Sequence, residues 1–150
     1  AGLLATTTKV KSLHGNGGNA GVSSAVQAAV VMSGPMEIST GSVAERSLTA
    51  VKPLANAIYL FGGTVKQEPE LYKLADAHLH INKQTPPILF QFGGTEDPAK
   101  VQPSIDKLQK LGVSTQLLTH YKDGKHGCWN RNPWFLPIIE DIDTWFQEHL

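Results

Sequence analysis

Two loops of this sequence contain side chains that could do acid–base chemistry. Asp97 lies in the Gly-Gly-Thr-Glu-Asp-Pro segment of residues 93–98, and His126 lies in the glycine-flanked loop of residues 121–127. In serine-dependent hydrolysis a carboxylate holds one nitrogen of an imidazole, and the imidazole takes the proton of the serine hydroxyl. Asp97 and His126 therefore have the residue types for the acid and base of such a reaction.

Both residues also have ordinary structural interpretations. An aspartate before a proline commonly begins a turn or a helix, and a histidine in a loop of lysine, aspartate and glycine is often simply solvated. Residue types and spacing alone leave both interpretations open, so the elements that position the two loops matter.

The surrounding elements predict a parallel sheet flanked by helices, the α/β class. Residues 26–32 and 88–92 are short, nearly continuous apolar runs bounded by glycine and proline, as in strands buried on both faces. The predicted order is completed by a helix over 103–111, a strand over 113–120 and a helix over 137–150. Since active groups collect beyond the carboxyl ends of parallel strands, the loops of Asp97 and His126 should be neighbours.

The long segment of residues 37–85 separates the first two strands. Its prolines and paired glycines, with short helices predicted over 43–50 and 68–76, favour a cap-like insertion or crossover. Three such apolar strands would leave an open hydrophobic edge, which natural sheets avoid by adding strands or covering the edge. We therefore expect the chain to be part of a larger sheet.

Composition excludes several classes of protein. The chain has 150 residues, 13 basic and 13 acidic side chains and 41% hydrophobic residues, which is typical of one soluble globular unit. Zero net charge argues against a nucleic-acid surface, and no apolar run is long enough to span a membrane. The single cysteine, Cys128, excludes an internal disulfide and is expected to be a buried small hydrophobe.

A metal site is a weaker alternative for the histidines. The side chains that could bind zinc are His78, His80, His120, His126 and Cys128. The two-residue spacing of the first pair and the lack of a second close pair are not typical of a zinc site, so a metal site is not expected.

Two tryptophans follow the candidate histidine. Trp129 and Trp134 could line the pocket for the acyl or alcohol group of a substrate, and they could equally pack beneath the last helix.

Several segments taken together have the pattern of a known enzyme family. They are residues 16–35, 60–63, 75–79, 86–97 and 124–127. They resemble the α/β-hydrolase superfamily, specifically bacterial carboxylesterases related to feruloyl and acetylxylan esterases, over nearly the whole chain. The resemblance implies that Asp97 is the acid and His126 the histidine of a catalytic triad.

The sequence departs from the family in two ways. Phe92-Gly93 stands where the family usually has His-Gly, and the chain has no Gly-x-Ser-x-Gly nucleophile elbow. Ser23 and Ser24 precede a strand, whereas an elbow serine follows one. Because residues 1–7 resemble the helix after the elbow, residues 1–150 are expected to be the C-terminal half of one hydrolase domain, inactive without the half that supplies the nucleophile and oxyanion hole.

The resemblance implies serine-dependent hydrolysis of a carboxylic ester through an acyl-enzyme, on a small-molecule or polysaccharide-linked substrate, with no metal or organic cofactor. The expected partner is the N-terminal half of the same domain, either continuous with this chain or held to it after a nick. Nucleic acids and membranes are not expected partners. The alternative is a noncatalytic binding or structural module derived from the same fold. Relatives favour a secreted or periplasmic location, and a cytoplasmic location is the alternative.

Overall fold

A computed structural model describes residues 1–19, 21–49 and 56–150, apart from the side chain of residue 120. These residues form a three-stranded parallel sheet flanked by helices. The strands are β1 (Ala29–Met32), β2 (Ile88–Gly93) and β3 (Thr115–Tyr121), in that order across the sheet. The α-helices are α1 (Gly2–Thr6), α2 (Gly41–Thr49), α3 (Asn56–Phe61), α4 (Pro69–Leu74), α5 (Ala77–His80), α6 (Gln102–Lys110) and α7 (Phe135–His149).

The central strand is β2, as its apolar sequence predicts. Every residue of β2 is buried, and Phe90 is opposite Val31 of β1 on one side and Leu117 of β3 on the other. Both predicted strands are present, but β1 lies at the edge of the described sheet and begins three residues later than the apolar run that predicted it. Parallel pairing brings the carboxyl ends of all three strands to one edge of the sheet.

Each face of the sheet carries its own hydrophobic cluster. The larger cluster packs alternate strand residues against helices α1, α5 and α6, and its fully buried members include Ile88, Phe90 and Leu108. The smaller cluster lies beneath α7 and consists of Tyr121, Cys128 and Ile138 with partly buried neighbours. Burial of one large apolar side chain contributes about 1.5–3 kcal/mol, so these clusters fix the sheet edge from which the loops emerge.

Asp76 holds the two ends of the long inserted segment together. Its carboxylate accepts hydrogen bonds from the backbone N–H groups of Ile38, Ser39 and Leu79 at 2.9, 2.8 and 3.2 Å and from the Ser39 hydroxyl at 2.6 Å. Burial acts to raise the pKa of Asp76, but these hydrogen bonds outweigh it and leave the pKa below its ordinary value. One ionised side chain therefore ties the two ends of the segment to each other.

The inserted segment is helical, as predicted, with different boundaries. The helix predicted over 43–50 is α2, and residue 50 lies outside the described residues. The helix predicted over 68–76 is α4, which ends before Asp76 because that carboxylate caps α5 instead. Helix α3 was not predicted. No helix in the described part of the chain has the length and apolarity needed to cross a bilayer.

Candidate functional site

The loops after β2 and β3 lie against each other at the carboxyl edge of the sheet. Gly94 N–H donates to Tyr121 O at 3.1 Å, and Thr95 donates to Gly124 O through both its backbone N–H and its hydroxyl at 3.2 Å. The approach is so close that a Cβ atom on Gly94 would lie 2.7 Å from Tyr121 O. The predicted proximity of the two loops is confirmed, and glycine is what allows it.

The carboxylate beside His126 is that of Glu96. Glu96 Oε1 lies 3.0 Å from His126 Nδ1. The predicted pairing of Asp97 with His126 is not what the structure has: Asp97 Oδ1 accepts from Ala99 N–H at 2.9 Å and caps the 3₁₀ turn Pro98–Val101. The reason is the turn closed by Glu96 N–H and Gly93 O at 2.9 Å, which aims residue 96 at the sheet edge and leaves residue 97 to begin the next helix.

Glu96 is partly buried and hydrogen-bonded through both carboxylate oxygens. Only 11% of its side chain is exposed, and Oε2 accepts hydrogen bonds from Gly93 N–H at 2.9 Å and from the Ser33 hydroxyl. Burial acts to raise the pKa of Glu96, but the hydrogen bonds from Ser33, Gly93 and His126, together with the charge of Lys100, hold it below its ordinary value. Glu96 is therefore an anion at neutral pH.

The geometry fixes which nitrogen of His126 carries the proton. An ionised carboxylate can only accept hydrogen bonds, so Nδ1 is the donor to Glu96 Oε1. In the neutral imidazole Nε2 then has a free lone pair. The His126 side chain is 73% exposed, and the ring of Trp129 meets it edge-on with 5.3 Å between centroids. His126 thus has the tautomer and the access of a general base.

A cavity of about 580 Å³ opens beside His126. Helices α2 and α3 of the inserted segment supply much of its wall, which is largely apolar. The lining residues are Leu3, Ser33, Pro35, Ile38, Ser42, Val43, Arg46, Asn56, Ala57, Leu60, Phe61, Ala75, Lys100 and His126. A cavity of this size and character fits a small organic group next to an acid–base pair.

The structure places the two tryptophans elsewhere. Neither Trp129 nor Trp134 is among the described residues that line this cavity. Both pack on the hydrophobic cluster beneath α7, and Trp134 Nε1–H donates to Lys122 O at 3.0 Å. The packing interpretation therefore describes Trp134, while Trp129 packs and also contacts the His126 ring.

His78, His80 and Cys128 have contacts typical of structural residues. His78 Nδ1 lies 2.9 Å from Ser104 Oγ, and His80 Nε2 lies 2.9 Å from Leu74 O. Within the described ranges no group of three or more His, Cys, Asp or Glu side chains could hold a metal, and the side chain of residue 120 lies outside the description. Burial, then the charge of Glu96, raises the pKa of Cys128, which disfavours a thiolate.

The described serines do not include a partner for the His126 ring. Ser23 and Ser24 lie in an exposed loop before β1, where Ser23 Oγ accepts from Ala25 N–H at 3.2 Å. The Ser33 hydroxyl bonds to Glu96 rather than to the histidine. The pairing of Glu96 with His126 was missed because Glu96 and Asp97 are adjacent carboxylates, and only the turn geometry distinguishes them.

Comparison with solved structures shows that this fold occurs in esterases. The chain superposes on a truncated carbohydrate esterase from gut microbiota with a TM-score of 0.72 and 19% identity, covering 99% of this chain and 54% of that one. For a propionate-bound thermophilic esterase from Thermogutta terrifontis the TM-score is 0.65, with 19% identity and coverage of 98% and 52%. For an acetyl ester-xyloside bifunctional hydrolase from Caldicellulosiruptor lactoaceticus it is 0.64, with 20% identity and coverage of 99% and 52%.

The chain spans about half the length of these esterases. No protein-family model and no curated protein sequence matches it. At these identities the likeness is one of fold.

Proposed function

We propose that the whole protein containing this chain hydrolyses carboxylic esters, with His126 as the general base and Glu96 as the carboxylate that orients it. The observation that carries the proposal is the 3.0 Å contact between Glu96 Oε1 and His126 Nδ1, with His126 lining a largely apolar cavity. The esterase function of the structural neighbours supports it at the level of reaction class.

The proposed mechanism is acyl transfer to a serine. His126 Nε2 takes the serine proton as the oxygen attacks the ester carbonyl carbon, and it then gives that proton to the departing alcohol. Water, deprotonated by the same nitrogen, releases the acid and regenerates the serine. Glu96 stabilises the imidazolium that forms in each step. We propose that the serine and the oxyanion-hole donors come from chain outside residues 1–150.

The cavity indicates where the substrate binds. Val43, Leu60 and Phe61 of the inserted segment line the cavity, and so does His126. We propose that the cavity receives the acyl or alcohol group of a small or polysaccharide-linked ester. The largely apolar lining suits a short alkyl or aromatic group, and the reaction needs no cofactor.

The test is hydrolysis of p-nitrophenyl acetate, propionate and butyrate by the whole protein. Replacement of His126 by alanine should lower kcat/KM by about 10³-fold or more, because triad members act as a unit. The matched control is His14→Ala, since His14 is an exposed histidine whose ring Nε2 lies 2.8 Å from Thr8 O, away from the Glu96 pair. Near-normal turnover by folded His126→Ala would contradict the proposal. An inactive wild-type protein would favour the noncatalytic module.

A further inference from the structure

We propose that Ser33 is a positioning residue, whose hydroxyl holds the Glu96 carboxylate in the one orientation that leaves Oε1 for His126. This inference deepens the proposed ester hydrolysis and rests on it for its catalytic consequence. The structural part, the control of the His126 tautomer by Ser33, can be tested without any activity.

The two oxygens of Glu96 have separate partners. Oε2 accepts from the Ser33 hydroxyl and from Gly93 N–H, and Oε1 faces His126. Ser33 directly follows β1, Gly93 ends β2, and His126 follows β3. Two donors at the ends of different strands therefore hold the Oε2 atom of Glu96. The carboxylate cannot rotate about its terminal bond without breaking both hydrogen bonds. Rotation would take Oε1 away from the imidazole.

Ser33 is itself rigidly held. It is 6% exposed, and its backbone N–H donates to Gln91 O at 2.8 Å, which extends the pairing of β1 with β2 by one residue. Lys100 Nζ lies 3.4 Å from Ser33 O and 4.8 Å from the centre of the Phe92 ring. The hydroxyl is therefore presented to Glu96 from a backbone that the sheet and Lys100 both fix.

The backbone of Ser33 is in a conformation that favours glycine. Its φ is 52°, in the left-handed region that non-glycine residues rarely adopt. Residues in such conformations persist only where the surrounding structure holds them, and they cluster at functional sites. Here the side chain supplies a hydrogen bond to a partly buried carboxylate, which no glycine could make.

The geometry also separates Ser33 from the role of nucleophile. A nucleophilic serine must give its proton to the histidine, and the Ser33 proton is directed to Glu96 Oε2. With Glu96 ionised, that oxygen is the stronger acceptor within reach. Ser33 also lines the cavity beside His126, and we assign its effect on the reaction to its hydrogen bond with Glu96.

The test is the ¹⁵N spectrum of the His126 imidazole in the whole protein at a pH where the ring is neutral. In the wild type, Nδ1 should show the shift of a protonated nitrogen and Nε2 that of an unprotonated one. In Ser33→Gly the signals should move toward the Nε2–H tautomer, which neutral histidine prefers without a partner at Nδ1. Glycine relieves the backbone strain, so this variant should fold.

A second variant and a control separate the hydroxyl from the backbone. Ser33→Ala also lacks the hydroxyl but keeps the strain, so it should give the same tautomer change as Ser33→Gly with a lower unfolding temperature. Ser47→Ala removes another buried serine hydroxyl, one that donates to Ala44 O at 2.7 Å in α2, and should leave the His126 signals unchanged.

The kinetic consequence is a loss of kcat with little change in KM. Both Ser33 variants should lose about ten- to a hundred-fold in kcat, as expected for a misplaced catalytic group. An Nδ1–H signal in both folded variants equal to that of the wild type would overturn the proposal. If the protein hydrolyses no ester but the tautomer still responds to Ser33, the proposed function fails and the positioning role stands.

Discussion

Glu96 and Asp97 are consecutive residues whose carboxylates have different partners. Glu96 Oε1 lies 3.0 Å from His126 Nδ1, whereas Asp97 Oδ1 lies 2.9 Å from the backbone nitrogen of Ala99. The first carboxylate is placed to orient a base and the second to begin a helix. Two substitutions that each remove one charge and keep the shape of the side chain therefore distinguish the two residues.

Glu96→Gln should lower kcat by about 10³- to 10⁴-fold, because a neutral amide no longer stabilises the imidazolium or enforces the tautomer. Asp97→Asn should keep activity within about a few-fold, since asparagine caps a helix as well as aspartate does. Steady-state kinetics on variants with wild-type circular dichroism are the measurement. A large loss in Asp97→Asn with a small loss in Glu96→Gln would assign the acid to Asp97.

The pH dependence of stability should depend on Asp76. Its pKa is below the ordinary value in the folded protein, so the unfolded chain binds more protons at acid pH. The stabilisation is present above the ordinary pKa of about 3.9 and is lost as pH falls through the folded pKa. Asp76→Asn should cost about 1.5–3 kcal/mol at pH 7 and less at pH 3, measured by urea unfolding.

The control for Asp76 is Asp143→Asn. Asp143 is exposed, and its carboxylate accepts a hydrogen bond from Gln147 Nε2 at 2.7 Å. This variant should keep the pH dependence of the wild type. An equal loss of pH dependence in both variants would show that acid sensitivity does not come from the anchor at Asp76.

Gly93→Ala should disturb the His126 loop. A Cβ atom at residue 93 would meet the carbonyl of Gly124, with Lys125 O at 3.0 Å, and these are backbone atoms that cannot rotate away. We expect a loss of about 1–3 kcal/mol in the free energy of unfolding and a weaker Nδ1–H signal from His126. Gly17→Ala, where no atom lies within 4 Å of the added Cβ, is the control. Equal stability of the two variants would contradict the close packing of the loops.

The width of the cavity should set the preference for acyl length. Val43→Phe adds volume to a wall of the cavity and should lower kcat/KM for p-nitrophenyl butyrate relative to acetate by about 10–200-fold, the usual range for a methylene or two in an apolar pocket. Val22→Phe is the control, since Val22 is 73% exposed in the loop before β1. If Val43→Phe left the ratio of kcat/KM for butyrate to that for acetate unchanged, the acyl group would not bind in this cavity.

The sequence predicts the sheet well because its strands are strongly patterned. The apolar runs at β1 and β2 predict buried strands, which β2 is along its whole length, and parallel pairing of β2 with β3 brings the loops of Glu96 and His126 together. Which of the two adjacent carboxylates, Glu96 or Asp97, contacts His126 could not be predicted from such patterns. It depends on one backbone hydrogen bond, from Glu96 N–H to Gly93 O, that no periodicity encodes.

The role of Ser33 was also hidden in the sequence. The sequence Ser33-Gly34-Pro35 is typical of a turn that ends a strand. The partner of Ser33, Glu96, lies far away along the chain. Contacts between distant segments follow from the register of the sheet, which becomes visible only in three dimensions. The serine nucleophile stays a prediction.

His126 and Glu96 differ in exposure, and this difference determines which of the two side chains a small molecule could replace after mutation. The His126 side chain is 73% exposed, while only 11% of Glu96 is. Replacing His126 by glycine would therefore open a space that reaches solvent and has an anchored carboxylate at its base. Free imidazole can enter such a space, bond to Glu96 and act as a diffusible base, whereas formate has no comparable route to the position of Glu96. A base from solution can therefore take the place of the His126 side chain, whereas the Glu96 carboxylate cannot be replaced in this way.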